Sequence, residues 1–381
     1  MNQIKSKLPE VGTTIFSEMS ALANEHNAIN LSQGFPGFPI NENLPKLVNK
    51  YMLEGKNQYA PMPGILELRV TLSNYFKDKY KVDIDPNTQI TVTAGATQAI
   101  YNTISAVVES GDEVILFSPA YDCYSPSIGV HGGIPVFIPL QHPTYSINWE
   151  EVKSKVSDKT KMIIINSPHN PTGSLLAKND LEALSEIVKD TNLIVLSDEV
   201  YEHITFDEEK HESALSYPEL KKRTMSVYSF GKSLHVTGWK LGFCVGPDWL
   251  MKEFRKIHQF TVFSCNSPIQ YAINEYILNH NPFENTAEFY ERKRDVFLAS
   301  IKDSRFKVIP CKGTYFQLLD YSEISDMNDV EFAKKLTIEN GIASIPISVF
   351  YPNKEDNKVL RFCFAKEEEL LIKAGQLLCK I

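Results

Sequence analysis

From residue 88 onward, strand-length apolar runs alternate with longer amphipathic segments, and this alternation constrains the fold more than any other feature of the chain. It predicts a mostly parallel sheet covered by helices, an α/β architecture. Seven candidate strands are QITVTA (89–94), EVILF (113–117), PVFIPL (135–140), KMIIIN (161–166), LIVLSD (193–198), TMSVYSF (224–230) and KLGFCVG (240–246). Between the first two, Ala96 to Glu109 carries Ala99, Ile100, Ile104, Val107 and Val108 on one side and stops before Gly111. That pattern predicts a core-facing helix with a left-handed glycine cap.

After Asp248 the pattern changes to long helical stretches, including a charged and aromatic one at 284–303. Strands follow near 314–319 and 359–364, then a final helix at 366–380, as in a smaller α+β region. With 381 residues the chain exceeds one ordinary domain, and a boundary near 283 divides it. Residues 46–283 form the large unit, and 1–45 with 284–381 the small one. The first 45 residues, rich in Pro and Gly (SQGFPGFPINENLP), read as loop-like and are expected to pack with the C-terminal part.

A net charge of −8 works against a nucleic-acid partner, whose affinity rests on neutralising phosphates with Lys and Arg. The longest apolar runs, such as MIII and LIVL, are far short of a membrane span, and MNQIKSKLPEVGTT lacks a signal peptide's apolar stretch. Six cysteines lie far apart with no CxxC pair, which suggests neither zinc nor disulfides and points to a reducing, cytoplasmic setting. No two glycines are spaced GxG, and neither GxxxxGK[ST] nor HExxH occurs. The sheet therefore serves neither a dinucleotide nor a phosphate-loop nucleotide.

Four segments sit where strands should end, the place where open α/β sheets bind ligands. TAGATQA (93–99) turns tightly on Gly95 into a helix, and free N–H groups there, with the Thr97 hydroxyl, suit a phosphate. INSPHNPTG (165–173) presents the Asn166 and Asn170 amides on a rigid turn. SDEVY (197–201) places Asp198 past a buried strand, where a carboxylate needs a cationic partner such as a pyridinium nitrogen. SFGKSLHVTGWKLG (229–242) puts Lys232 directly after a strand, and a lysine kept from water has the lowered pKa that Schiff-base chemistry needs. Each segment alone has a plain structural reading as a turn, a cap or a surface lysine.

Together with GTTIFSEM, LSQGFPGFP, NQYAPMPG, SPAYDCY, CKGTYF, IPISVFY and VLRFCFAK, all in order, these segments make the chain resemble the class I and II aminotransferases of pyridoxal-phosphate fold type I. The likeness spans nearly the whole sequence and is nearest to the branch of kynurenine aminotransferase, glutamine transaminase K and bacterial methionine aminotransferase. It implies pyridoxal 5'-phosphate held as a Schiff base on Lys232, Asp198 on the ring nitrogen, and Tyr201 and Asn170 on the ring oxygen. It further implies that Gly95, Ala96 and Thr97, with Ser229 and Lys240, hold the phosphate, and that Tyr121 stacks on the ring. Many relatives carry Arg in place of Lys240.

Tyr59 resembles the residue that reaches the neighbouring subunit's cofactor, which implies a homodimer. Arg361 resembles the substrate-carboxylate arginine, completed by Gly34 and Asn170. Phe16, Phe35, Tyr124 and Phe350 are candidates to line a side-chain pocket. The activity so implied is ping-pong transamination between an L-amino acid (methionine, aromatic, glutamine or kynurenine) and a 2-oxo acid. Two alternatives stand beside it: β-elimination from cysteine S-conjugates on the same scaffold, and a non-catalytic ligand sensor. No metal is called for.

Overall fold

The computed structural model describes residues 4–9 and 11–381. Its central sheet has seven strands in the order Ile90–Thr93, Gly242–Val245, Thr224–Ser229, Ile194–Asp198, Thr160–Asn166, Glu113–Ser118 and Ile134–Pro139. These are the seven predicted strands, with ends shifted by no more than two residues. Gly242–Val245 runs antiparallel to both neighbours, and every other adjacent pair is parallel. Parallel pairs need long crossovers, and their helices cover both faces of the sheet.

Burial on both faces explains why the strand sequences are apolar throughout instead of alternating. In Thr160–Asn166, Met162 and Ile164 join a cluster with Ala99, Ile100, Ile104 and Leu196. Ile163 and Ile165 point the other way, into a cluster with Leu181, Leu184 and Val195. The helix Ala96–Val107 buries Ala99, Ile100, Ile104 and Val107, as its spacing predicts. Its cap differs from expectation: Val108 is already extended, and Gly111, at φ +92°, lies in the next turn with its N–H on Gly132 O at 2.9 Å. The left-handed glycine serves a turn here and not a helix end.

A second, antiparallel sheet runs Ile345–Pro346, Val359–Cys363, Phe316–Asp320, Lys307–Val308. Helices Thr286–Ser300 and Glu368–Leu378 pack against each other beside it. Helix Asp329–Asn340, absent from the sequence reading, is capped by the Asn328 side chain on the Glu331 N–H and by Gly341 at φ +71°.

The N-terminal stretch departs from its loop-like reading. Residues Ile15–Glu25 form a helix that buries Met19 and Ala23 and packs on Asp329–Asn340. An 11-residue helix is marginal alone, so this tertiary contact is what stabilises it. Ile29–Asn30 then pairs in parallel with Ile342–Ala343, and Leu31 O accepts from the Cys363 N–H at 2.8 Å. No described helix is long and apolar enough to cross a membrane.

Candidate active site

The parallel strands end at one edge, and the register places Asp198 beside Asn166 on one side and Val227 on the other. The pleat then separates two adjacent acids. Glu199 accepts from Ser197, Ser226 and Tyr228 hydroxyls, His211 and the Ala214 N–H, all within 3.2 Å, and is saturated by structural donors. Asp198 points into a cavity of about 150 Å³, where it accepts from the Tyr124 hydroxyl at 2.6 Å and the Val200 N–H at 3.3 Å. Burial raises this carboxyl to about 6, against the pull of Tyr124, Val200 and the Lys232 charge.

Lys232 lies on the short helix Phe230–Ser233, reached directly from the strand Thr224–Ser229, and also lines the cavity. Its amine donates to the Tyr315 hydroxyl at 2.8 Å and lies 5.4 Å from the centre of the Tyr201 ring. Burial lowers its pKa to about 8, with Cys363 and Asp198 opposing and Arg361 and Lys240 assisting. A lysine that sheds its proton this readily is a nucleophile and a base near neutral pH.

At one end of the cavity stands the N-terminus of Ala96–Val107, formed by Gly95, Ala96 and Thr97, whose first-turn N–H groups have no intrahelical acceptor. A side chain added at Gly95 would meet the Lys240 ammonium at 3.4 Å, so the cation stands over the helix start. Gly242 lets this happen: any Cβ there would collide with Tyr228 O and come within 3.1 Å of the Ala96 nitrogen. Ser229 lines the same end. Together they form a site for a phosphate dianion.

Arg361 is 2% exposed and occupies a central strand of the small sheet, between Leu318 and Ile345. Its Nη1 donates to Asn170 Oδ1 at 2.8 Å and its Nη2 to Ser32 O at 3.4 Å, while Nε has no partner among the described residues. The guanidinium lies 3.9 Å from the centre of the Phe316 ring and 5.3 Å from those of Phe16 and Phe350. A buried cation with only neutral hydrogen-bond partners and a free donor suits a carboxylate ligand. Gly34 packs against the Phe316 ring, which would lie 2.8 Å from a Cβ.

Of the residues singled out in the sequence, Gly95, Ala96, Thr97, Tyr121, Asn170, Asp198, Tyr201, Ser229, Lys232 and Lys240 line one cavity. Tyr59 does not: it is 80% exposed, edge-on to Phe263 at 5.2 Å. Phe35 is partly exposed under the Lys366 ammonium. Tyr124, read as a pocket-lining aromatic, instead holds Asp198, because the helix Tyr124–Gly129 turns its ring inward beneath Tyr121. Sequence reasoning also missed Tyr315 and Phe316, although both lie in the quoted CKGTYF stretch.

This donor set fits pyridoxal phosphate: an anion site at one end, a buried acid for a ring nitrogen, and an activated amine between them. A family model for the class I and II aminotransferases matches residues 26–374. The chain is 45% identical over 374 residues to methionine aminotransferase of Escherichia coli strain K12, covering 98% of this chain and 97% of that protein. It is 34% identical over 414 residues to a kynurenine–oxoglutarate transaminase of Dictyostelium discoideum, covering 97% and 94%. Among solved structures, YbdL from Escherichia coli, described as having a methionine aminotransferase function, superposes with a TM-score of 0.98 at 43% identity over the full length of both chains. The chain therefore belongs to the class I and II aminotransferases, enzymes of fold type I that use pyridoxal phosphate to move an amino group between an amino acid and a 2-oxo acid.

Proposed function

We propose that the enzyme transaminates methionine and bulky aromatic L-amino acids, with Lys232 as the residue that carries the cofactor and moves the proton. The observation that carries this reading is the Lys232 amine, lowered to about 8, sharing a cavity with Asp198. When bound, pyridoxal phosphate supplies an aldehyde carbon and a conjugated ring that take up the electron pair left at the substrate's Cα.

Arg361 receives the substrate carboxylate on its free face, and Asn170, whose Oδ1 is committed to Arg361, keeps its Nδ2 donors for a ligand. That contact fixes Cα near Lys232, whose neutral amine takes the Cα proton and would pass it to the cofactor's aldehyde carbon in the same half; in the reverse half it would return a proton to Cα of the incoming 2-oxo acid. With the cofactor bound, Asp198 would keep a proton on the ring nitrogen and Tyr201 would donate to the ring oxygen. Gly95, Ala96, Thr97, Ser229 and Lys240 would anchor the phosphate, and Tyr121 would stack on the ring.

Phe16 and Phe350, 6.0 Å apart, border an adjoining open cavity of about 790 Å³ that also includes Tyr101 and Tyr121. A thioether gains from the edges of such rings, and an aromatic side chain stacks among them. The names of the methionine and kynurenine relatives support the same substrate class.

The reading includes a homodimer in which Tyr59 reaches the partner's phosphate; exposed Tyr59, Phe260 and Phe263 support such a surface. It also includes two units, 46–283 and 1–45 with 284–381, and a cytoplasmic setting where unpaired cysteines stay reduced. Light scattering, limited proteolysis and cell fractionation test these three points. For the substrate class, the loaded enzyme is mixed in turn with methionine, phenylalanine, kynurenine and aspartate while its visible absorbance is followed. Methionine and the aromatic amino acids should bleach it fastest. Fastest bleaching by aspartate would overturn the assignment.

A further inference from the structure

We propose that Tyr315 is a positioning residue that receives the Lys232 amine whenever that amine is free, and that it ties the resting amine to the Gly34 loop. The inference rests on the reading of Lys232 above. In each turnover the lysine must leave the cofactor and later return, so a free amine needs one defined place to wait.

Tyr315 is fully buried, with its ring edge-on to Tyr201 at 5.1 Å and packed on Phe316 at 4.9 Å, so its hydroxyl has one position. That hydroxyl donates its single proton to Gly34 O at 2.7 Å. It therefore has only lone pairs to offer Lys232, whose amine donates to it at 2.8 Å and reaches Gly34 O at 3.4 Å. The amine also lies over the Tyr201 and Tyr315 rings, at 5.4 and 5.3 Å from their centres, a geometry that favours a cation.

The other charged or ionisable groups around Lys232 are Asp198 on the central sheet, Arg361 and Cys363 on the small one, and Lys240. Without the Tyr315 hydroxyl, the free amine keeps only the longer contact to Gly34 O at 3.4 Å. The Gly34 loop is itself fixed to the small sheet: Gly37 N–H donates to Ala365 O at 2.8 Å, and Lys366 to Phe35 O at 2.9 Å. The waiting amine is thus held at a set distance from the Arg361 carboxylate site.

The test compares wild type with Tyr315→Phe and with 4-aminophenylalanine at position 315, which keeps a donor for Gly34 but is a poor acceptor. Cofactor-free protein is reductively methylated over a pH series, and modification of Lys232 is read by peptide mass. Losing the acceptor destabilises the ammonium, so the midpoint should fall by about one pH unit in both variants. In loaded enzyme kcat should fall with KM for the amino acid nearly unchanged. Should the Phe variant not fold, the isosteric one decides. An unmoved midpoint overturns the role of Tyr315. Borohydride fixation in wild type checks the underlying reading separately, since cofactor fixed on a residue other than Lys232 overturns that reading instead.

Discussion

The Tyr124 hydroxyl donates to Asp198 Oδ2 at 2.6 Å, and both side chains are almost wholly buried. Burial pushes the carboxyl up to about 6, and this phenol is the strongest of the groups that hold it down. Tyr124→Phe should therefore raise Asp198 by about one further pH unit, since a hydrogen bond to a charge is worth roughly 1.5 to 3 kcal/mol. The acid limb of the kcat/KM profile should move toward neutrality by a similar amount. An unmoved limb would show that the phenol does not set this acid.

Asp198 also gives a stability prediction for the cofactor-free protein. Its folded pKa of about 6 lies above the usual 3.8, so between those values the native state binds more protons than the unfolded one, and stability falls as pH rises. Asp198→Asn should stabilise the cofactor-free protein at about pH 7.5 by at most about 3 kcal/mol, with little gain near pH 4. Its affinity for the cofactor should drop. Chemical denaturation at the two pH values reads the first effect, and cofactor titration the second.

Lys232, lowered to about 8, is mostly neutral only above that pH. Capture of pyridoxal phosphate by cofactor-free protein should accelerate as pH rises through about 8 and then level off, which stopped-flow absorbance follows. Lys232→Ala should lose covalent capture and at least about 10³-fold in turnover.

Arg361→Lys keeps a positive charge but loses the planar fork that holds Asn170 and leaves a donor free. Losing one charge-assisted hydrogen bond to the carboxylate costs about 1.5 to 3 kcal/mol, so kcat/KM for amino acids should fall roughly 10- to 150-fold. Steady-state kinetics should show the loss for both amino-acid and 2-oxo-acid substrates, which share the carboxylate.

Gly242→Ala places a methyl group against Tyr228 O and the Ala96 nitrogen. Overpacking of this kind costs about 1 to 3 kcal/mol, and the helix start it displaces is the proposed phosphate site. Urea unfolding should register the cost, and cofactor dissociation should quicken. Unchanged dissociation would separate this close approach from phosphate binding.

The large sheet was legible because its signals are local. Met162 to Ile165 are apolar at every position, the pattern of a strand covered on both faces. Gly95 was legible for a similar reason, as a turn residue directly after a strand, whereas Lys232 stood out only in the company of the other segments. Ile15–Glu25 was not, because its stability comes from packing on a helix some 300 residues later in the chain, Asp329–Asn340. Gly111 was assigned the right conformation and the wrong duty, since where a helix ends depends on what its last turn packs against.

The sequence by itself determined the period of each strand, the turns at their ends, and the types of chemical group those turns carry. Only the tertiary structure decided which groups meet. Arg361 finds Asn170 across 191 residues, Tyr315 finds Lys232 across 83, and Tyr124 finds Asp198 across 74. Periodicity and turn chemistry are written within a few neighbouring residues, whereas the partners of a buried charge, and hence its pKa, depend on which distant segments the packed core brings to one cavity.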